Sequence, residues 1–119
     1  MQKRRNKLFQ QLVDDASRIC DRFAWATPSE AALRVLAHFA PVVEVGCGAG
    51  YWAHCMRERA TAVAAYDMFP ALSCDGEKRA LWTEMATGGP DVLSRKKHQG
   101  ECVFGRLYHR VLVLCKCCT

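Results

Sequence analysis

An apolar run that breaks straight into a turn with three glycines constrains this chain most. Val42-Val43-Glu44-Val45 leads into Gly46-Cys47-Gly48-Ala49-Gly50, and residues 51–59 read as a helix. Glycine admits backbone conformations closed to other residues and lets a ligand approach the main chain. A second apolar run, residues 61–66, ends at Asp67, and Pro70 closes it. Strand, glycine turn, helix and strand make a βαβ unit of the parallel type.

The flanks are read by periodicity. Leu8, Phe9, Leu12, Val13, Ala16, Ile19, Cys20 and Phe23 recur at helical spacing, which predicts an amphipathic helix over 7–21, packed on the outside of the remaining chain. After a connector, Thr27-Pro28-Ser29-Glu30 has the form of a helix start, with Thr27 as cap, Pro28 in the first position and Glu30 completing a capping box. That helix is expected to run to His38, with Leu33, Leu36, Ala37 and Phe39 inward and Pro41 ending it.

Beyond Pro70 the pattern is weaker. Residues 75–85 suit a helix capped by Asp75, yet 81–86 is the only candidate for a third strand, and both readings stay open. Gly88-Gly89-Pro90-Asp91 is a turn, and Val92 and Leu93 start a short helix. Residues 95–105 are polar and glycine-punctuated, as in a loop. Val111-Leu112-Val113-Leu114-Cys115 has the signature of a buried strand and is taken as the fourth.

Composition bounds the rest. The chain has 119 residues, the size of one domain, and its 50% hydrophobic and 24% charged content is that of a globular chain. It lacks the ~18 consecutive apolar residues of a membrane-spanning helix. Its basic start leads into no apolar segment, so no secretory signal is expected. An intracellular, cytoplasmic protein is the expectation. The same basic start also suits a nuclear or mitochondrial address, with Asp14 and Asp15 weighing against the latter.

The net charge of +5 is lumpy. Lys3, Arg4, Arg5 and Lys7 form one cluster, and Arg95, Lys96, Lys97 and His98 another. Such clusters can touch phosphates, but two solvated segments are the plainer reading, and nucleic acid is not indicated. The eight cysteines contain no two spaced CxxC pairs and, without an export signal, are expected to be reduced. Cys115, Cys117 and Cys118 with His98 or His109 would be an unusual zinc set, and no metal is expected.

The glycine turn alone suits a phosphate or a carboxylate. Its spacing departs from a dinucleotide fingerprint, because the sixth place is Tyr51 and the extra glycine falls at Gly50. Glu44, just before the turn, would repel a pyrophosphate but tolerates an ammonium group. Asp67 stands where a carboxylate can accept both hydroxyls of a ribose, about 20 residues after the turn. A ribosylated ligand with a cationic, amino-acid-like end satisfies all three observations, and S-adenosylmethionine is such a molecule.

Val42-Val43-Glu44-Val45-Gly46-Cys47-Gly48-Ala49-Gly50 resembles the first motif of class I S-adenosylmethionine-dependent methyltransferases, and Ala65-Tyr66-Asp67 the second. Ala24-Trp25-Ala26-Thr27-Pro28 and Gly88-Gly89-Pro90 resemble pieces of one branch of that superfamily. The resemblance implies an incomplete Rossmann-like α/β fold. N-terminal helices over 1–40 would precede a partial cofactor-binding domain over 41–119. It implies that Gly46, Cys47, Gly48 and Gly50 line the methionine part of the cofactor. Glu44 would lie near the amino group, Asp67 would hold the ribose, and Met68 or Phe69 would pack on the adenine.

Such enzymes position the methyl acceptor with residues after the fourth strand. Here Cys115-Lys116-Cys117-Cys118-Thr119 stands there, so a form truncated after that strand is expected, with an exposed sheet edge open to a protein partner or to a second copy. The acceptor and the catalytic residues stay unassigned. Three other readings remain. They are a non-catalytic interaction module using that edge, a nicotinamide-dinucleotide oxidoreductase domain, and a small metal-binding protein built on the C-terminal cysteines.

Overall fold

The computed structural model describes residues 2–72, 76–107 and 110–115. Three helices, α1 (Gln2–Arg22), α2 (Glu30–His38) and α3 (Tyr51–Glu58), accompany five strands: β1 (Val42–Val45), β2 (Val63–Asp67), β3 (Ala86–Thr87), β4 (Cys102–Leu107) and β5 (Arg110–Cys115). The strands form one sheet in the order β3-β2-β1-β4-β5. The first four run parallel, and β5 returns antiparallel to β4. The protein is thus mixed α/β with a largely parallel sheet, as expected of a Rossmann-like arrangement.

One side of the sheet carries the larger core. Leu33 and Leu36 of α2 meet Trp52 and Met56 of α3 over Val42 and Phe104. Trp52 donates its indole N–H to the Ala26 carbonyl at 2.7 Å, which fastens the connector before α2 to α3. The other side is covered more thinly. Val43 and Tyr66 pack there against Val92, from a 3₁₀ turn at Pro90–Ser94. A second such turn, Lys96–His98, brings in His98, whose Nε2 lies 2.7 Å from the buried Tyr66 hydroxyl.

Several sequence expectations are corrected. α1 begins five residues earlier than the apolar periodicity indicates and takes in the basic cluster. It buries no residue, and its apolar stripe stands open from Leu8 to Ile19, with only the end at Cys20 and Phe23 reaching the domain. Periodicity reports an amphipathic face but not what covers it. The α2 cap is Ser29, whose side chain accepts the Ala32 amide, and not Thr27. Glu30 pairs with Arg59 instead of closing a capping box. Ala37 and Phe39 are exposed.

Within 76–85 there is neither a helix nor a strand, and β3 holds two residues only. Asp75 lies outside the described residues, as do Cys117 and Cys118. The segment 95–105 is not a loop. It contains a 3₁₀ turn and the first four residues of β4, Cys102 to Gly105, which pair with β1 from Val42 to Val45. The fourth strand is therefore β4, and the run expected as the fourth is the fifth.

Candidate functional site

The glycine turn joins β1 to α3 at the carboxyl end of the sheet. The chain runs from β1 to β2 and β3 on one side, then returns to β4 on the other, so the strand order reverses beside β1. In open α/β sheets ligands bind in the crevice outside the strand ends at such a reversal. Gly46, Gly48 and Gly50 hold φ of 73°, 59° and 82°, the left-handed region that glycine enters without a Cβ penalty.

The turn is tied down from β2. The amides of Gly46 and Cys47 both donate to the Tyr66 carbonyl, at 2.8 and 3.0 Å. Asp67 accepts the Gly48 amide at 2.9 Å through Oδ2 and the Phe69 amide at 2.8 Å through Oδ1. The Gly50 amide donates to the Cys47 carbonyl. Four of the five turn amides are thus engaged within the protein.

A cavity of about 540 Å³ opens over the turn, within the range of small-molecule sites. Gly46, Cys47, Gly48 and Asp67 line it, as does Phe69. The opposite wall comes from the end of α1 and the connector, with Asp21, Phe23 and Trp25. Arg79 contributes a cation, and its Nε donates to the Pro70 carbonyl.

Trp82 joins the two walls. Its amide donates to the Ala49 carbonyl in the turn, and its indole N–H to the Arg22 carbonyl at the end of α1. Its ring lies 5.3 Å from Phe23 and 5.0 Å from Tyr51, with the Arg22 guanidinium 4.2 Å above it.

Three of the residues singled out in the sequence stand outside the cavity lining. Glu44 is buried in β1, below the turn, at 4% exposure. Gly50 caps α3 and faces the segment beneath, where a Cβ would come within 2.6 Å of Met85 Cε. Met68 packs toward Gly89, and Phe69 takes the place at the cavity wall.

Cys47 is buried, and its Sγ lies 3.4 Å from Met85 Sδ. Burial, then the charges of Glu44 and Asp67, push its thiol well above the ordinary value. It stays protonated and is no nucleophile.

The wall from α1 and the connector was not foreseen in the sequence. Its signal was the aromatic pair Phe23 and Trp25 in a polar-flanked connector. Nothing local marks Arg79. Among the described residues no helix is long and apolar enough to cross a membrane. No family model, no curated protein and no solved structure matches the chain.

Proposed function

We propose that this chain is a methyltransferase-like protein that binds S-adenosylmethionine in the cavity over the glycine turn. The observation that carries the reading is the double role of Asp67, which fixes Gly48 and also lines the cavity. An ionised carboxylate offers about four acceptor positions, so after two amide bonds Asp67 still has capacity for ribose hydroxyls.

The engaged amides support the same choice. A pyrophosphate needs free backbone donors, and here the amides of Gly46, Cys47, Gly48 and Gly50 are already used. Asp21 and Asp67 at the cavity wall favour a ligand that carries positive charge, and Phe69 with Trp25 supplies flat apolar surface for a base.

When bound, the cofactor supplies an activated methyl group on a sulfonium, so the chain's own work is placement. Asp67 and the turn hold the nucleoside end. Phe23, exposed at the opposite wall, offers an apolar surface along which an acceptor would approach.

Calorimetric titration with S-adenosylhomocysteine, with NAD as control, tests the reading. Micromolar binding is expected, lost in Asp67→Ala and weakened in Trp25→Ala, a wall residue outside the turn. Absence of binding by a folded chain, or preference for NAD, overturns it. After absence of binding, the reading as a non-catalytic interaction module, favoured by a β5 that has no outer neighbour among the described residues, takes its place; after preference for NAD, the nicotinamide-dinucleotide reading does.

A further inference from the structure

α1 carries an apolar stripe that the rest of the chain leaves open. Leu8, Phe9, Leu12, Val13 and Ile19 are 57%, 68%, 61%, 42% and 62% exposed. An isolated helix draws little stability from propensity alone, and packing of its apolar face normally supplies the rest. Phe9, Leu12, Ala16 and Ile19 succeed one another at spacings of three and four, the seam of a two-helix coiled coil. Val13 and Leu8 flank it. Covering these side chains removes on the order of 500 Å² from each helix, so two such helices reach the ~1,000 Å² that a specific interface needs.

Charge selects the occupant and its direction. In the same heptad frame Arg5 precedes Phe9 on the seam, and Asp15 stands beside Ala16. Parallel pairing would set Arg5 against Arg5 and gather Lys3, Arg4 and Lys7 of both helices at one end, where they repel. Antiparallel pairing with Phe9 opposite Leu12 sets Arg5 opposite Ala16, the smallest seam residue, with Asp15 within its reach. An anionic bilayer fits less well. Helices that lie on membranes carry cations on the polar face, and here that face also carries Asp14, with Asp15 at the stripe's edge.

We propose that α1 pairs antiparallel with α1 of a second copy of this chain. Phe9 and Leu12 of the two copies form the centre, and Arg5 of each faces Asp15 of the other. The surface lies outside the cofactor cavity, so the dimer stands or falls independently of the ligand.

Sedimentation velocity of the full chain over a concentration series tests this. A monomer–dimer equilibrium is expected, weakened at least about thirtyfold by Leu12→Glu, the scale of an interface hot spot. Position 12 is exposed, so circular dichroism of that variant should match the parent. Arg5→Asp and Asp15→Arg should each weaken the dimer several-fold, and the two together should restore it.

A monomer at all concentrations overturns the proposal. So does a dimer indifferent to Leu12→Glu, which would place the contact at the sheet edge, and so does a charge-swapped pair that fails to recover. Leu12-dependent binding of the monomer to phosphatidylserine vesicles, with no self-association, overturns it in favour of a membrane surface.

Discussion

The Asp67 carboxylate reaches from the end of β2 and accepts the Gly48 amide at 2.9 Å, so the second strand holds in place the turn that comes after the first. In Asp67→Ala the amides of Gly48 and Phe69 both lose their acceptor. A loss of about 1–3 kcal/mol is expected, chiefly the cost of the part-buried Gly48 donor left without a partner, since the exposed Phe69 amide can turn to water. Urea denaturation measures it, and an unchanged midpoint would mean that the clamp contributes nothing to the fold.

Gly48 and Gly50 share the left-handed backbone but not their surroundings. A Cβ at Gly48 meets nothing within 4 Å, whereas one at Gly50 meets Met85 Cε at 2.6 Å and Thr83 Cγ2 at 3.3 Å. Gly48→Ala should cost about 1–2 kcal/mol from the backbone alone. Gly50→Ala should cost more, and adding Met85→Ala should recover part of the excess. Equal losses in the two single variants would dismiss the contact with Met85.

The Cys47 thiol gives the protein an alkaline limit. Unfolded, it loses its proton near the ordinary value of 9.0; folded, burial and the charges of Glu44 and Asp67 hold the proton well above that. The folded state therefore binds the proton that the unfolded state releases. The contribution is fully present below about pH 9 and is lost as the pH rises further. Cys47→Ala should flatten the decline of thermal stability above pH 9. At pH 8 iodoacetamide should reach the half-buried Cys20 and Cys55 well before Cys47.

Tyr66, His98 and Glu101 form a hydrogen-bonded line under the thin side of the sheet, with both links at 2.7 Å. Tyr66→Phe leaves the buried His98 Nε2 without this partner and should cost about 1–3 kcal/mol. The same variant keeps the Tyr66 carbonyl that accepts the Gly46 and Cys47 amides, so ligand binding should change less than stability. A chemical melt paired with calorimetry separates the two. A large loss of affinity at unchanged stability would refute this division.

The βαβ core was legible because its signals are local. Three left-handed glycines, an apolar run on either side and an acid at the second strand's end announce themselves within 26 residues, 42–67. β4 was not legible. Cys102 to Gly105 alternates buried and half-buried, but lysines and glycines frame it, and its strand character comes from pairing with β1, a partner 60 residues away. The wall of Phe23 and Trp25 depends on where the end of α1 docks, which Trp82 decides from the far side of the turn. Met68 and Phe69 show the limit of position along a strand end. Both come directly after Asp67, and their side chains part there: Met68 turns toward Gly89, while Phe69, its amide held by Asp67 Oδ1, meets the cavity.

The reversal at β5 sets a polarity on the molecule. Leu107 pairs with Arg110, and Cys115 comes back beside Cys102, which is itself level with Val42 at the start of β1. The last strand thus carries the backbone away from the turn and the cavity, to the amino-terminal end of the parallel strands. Chemistry over the glycines and contacts made along the β5 edge near Cys115 belong to opposite poles of the sheet. A contact made along that edge would therefore leave the cavity end of the sheet undisturbed.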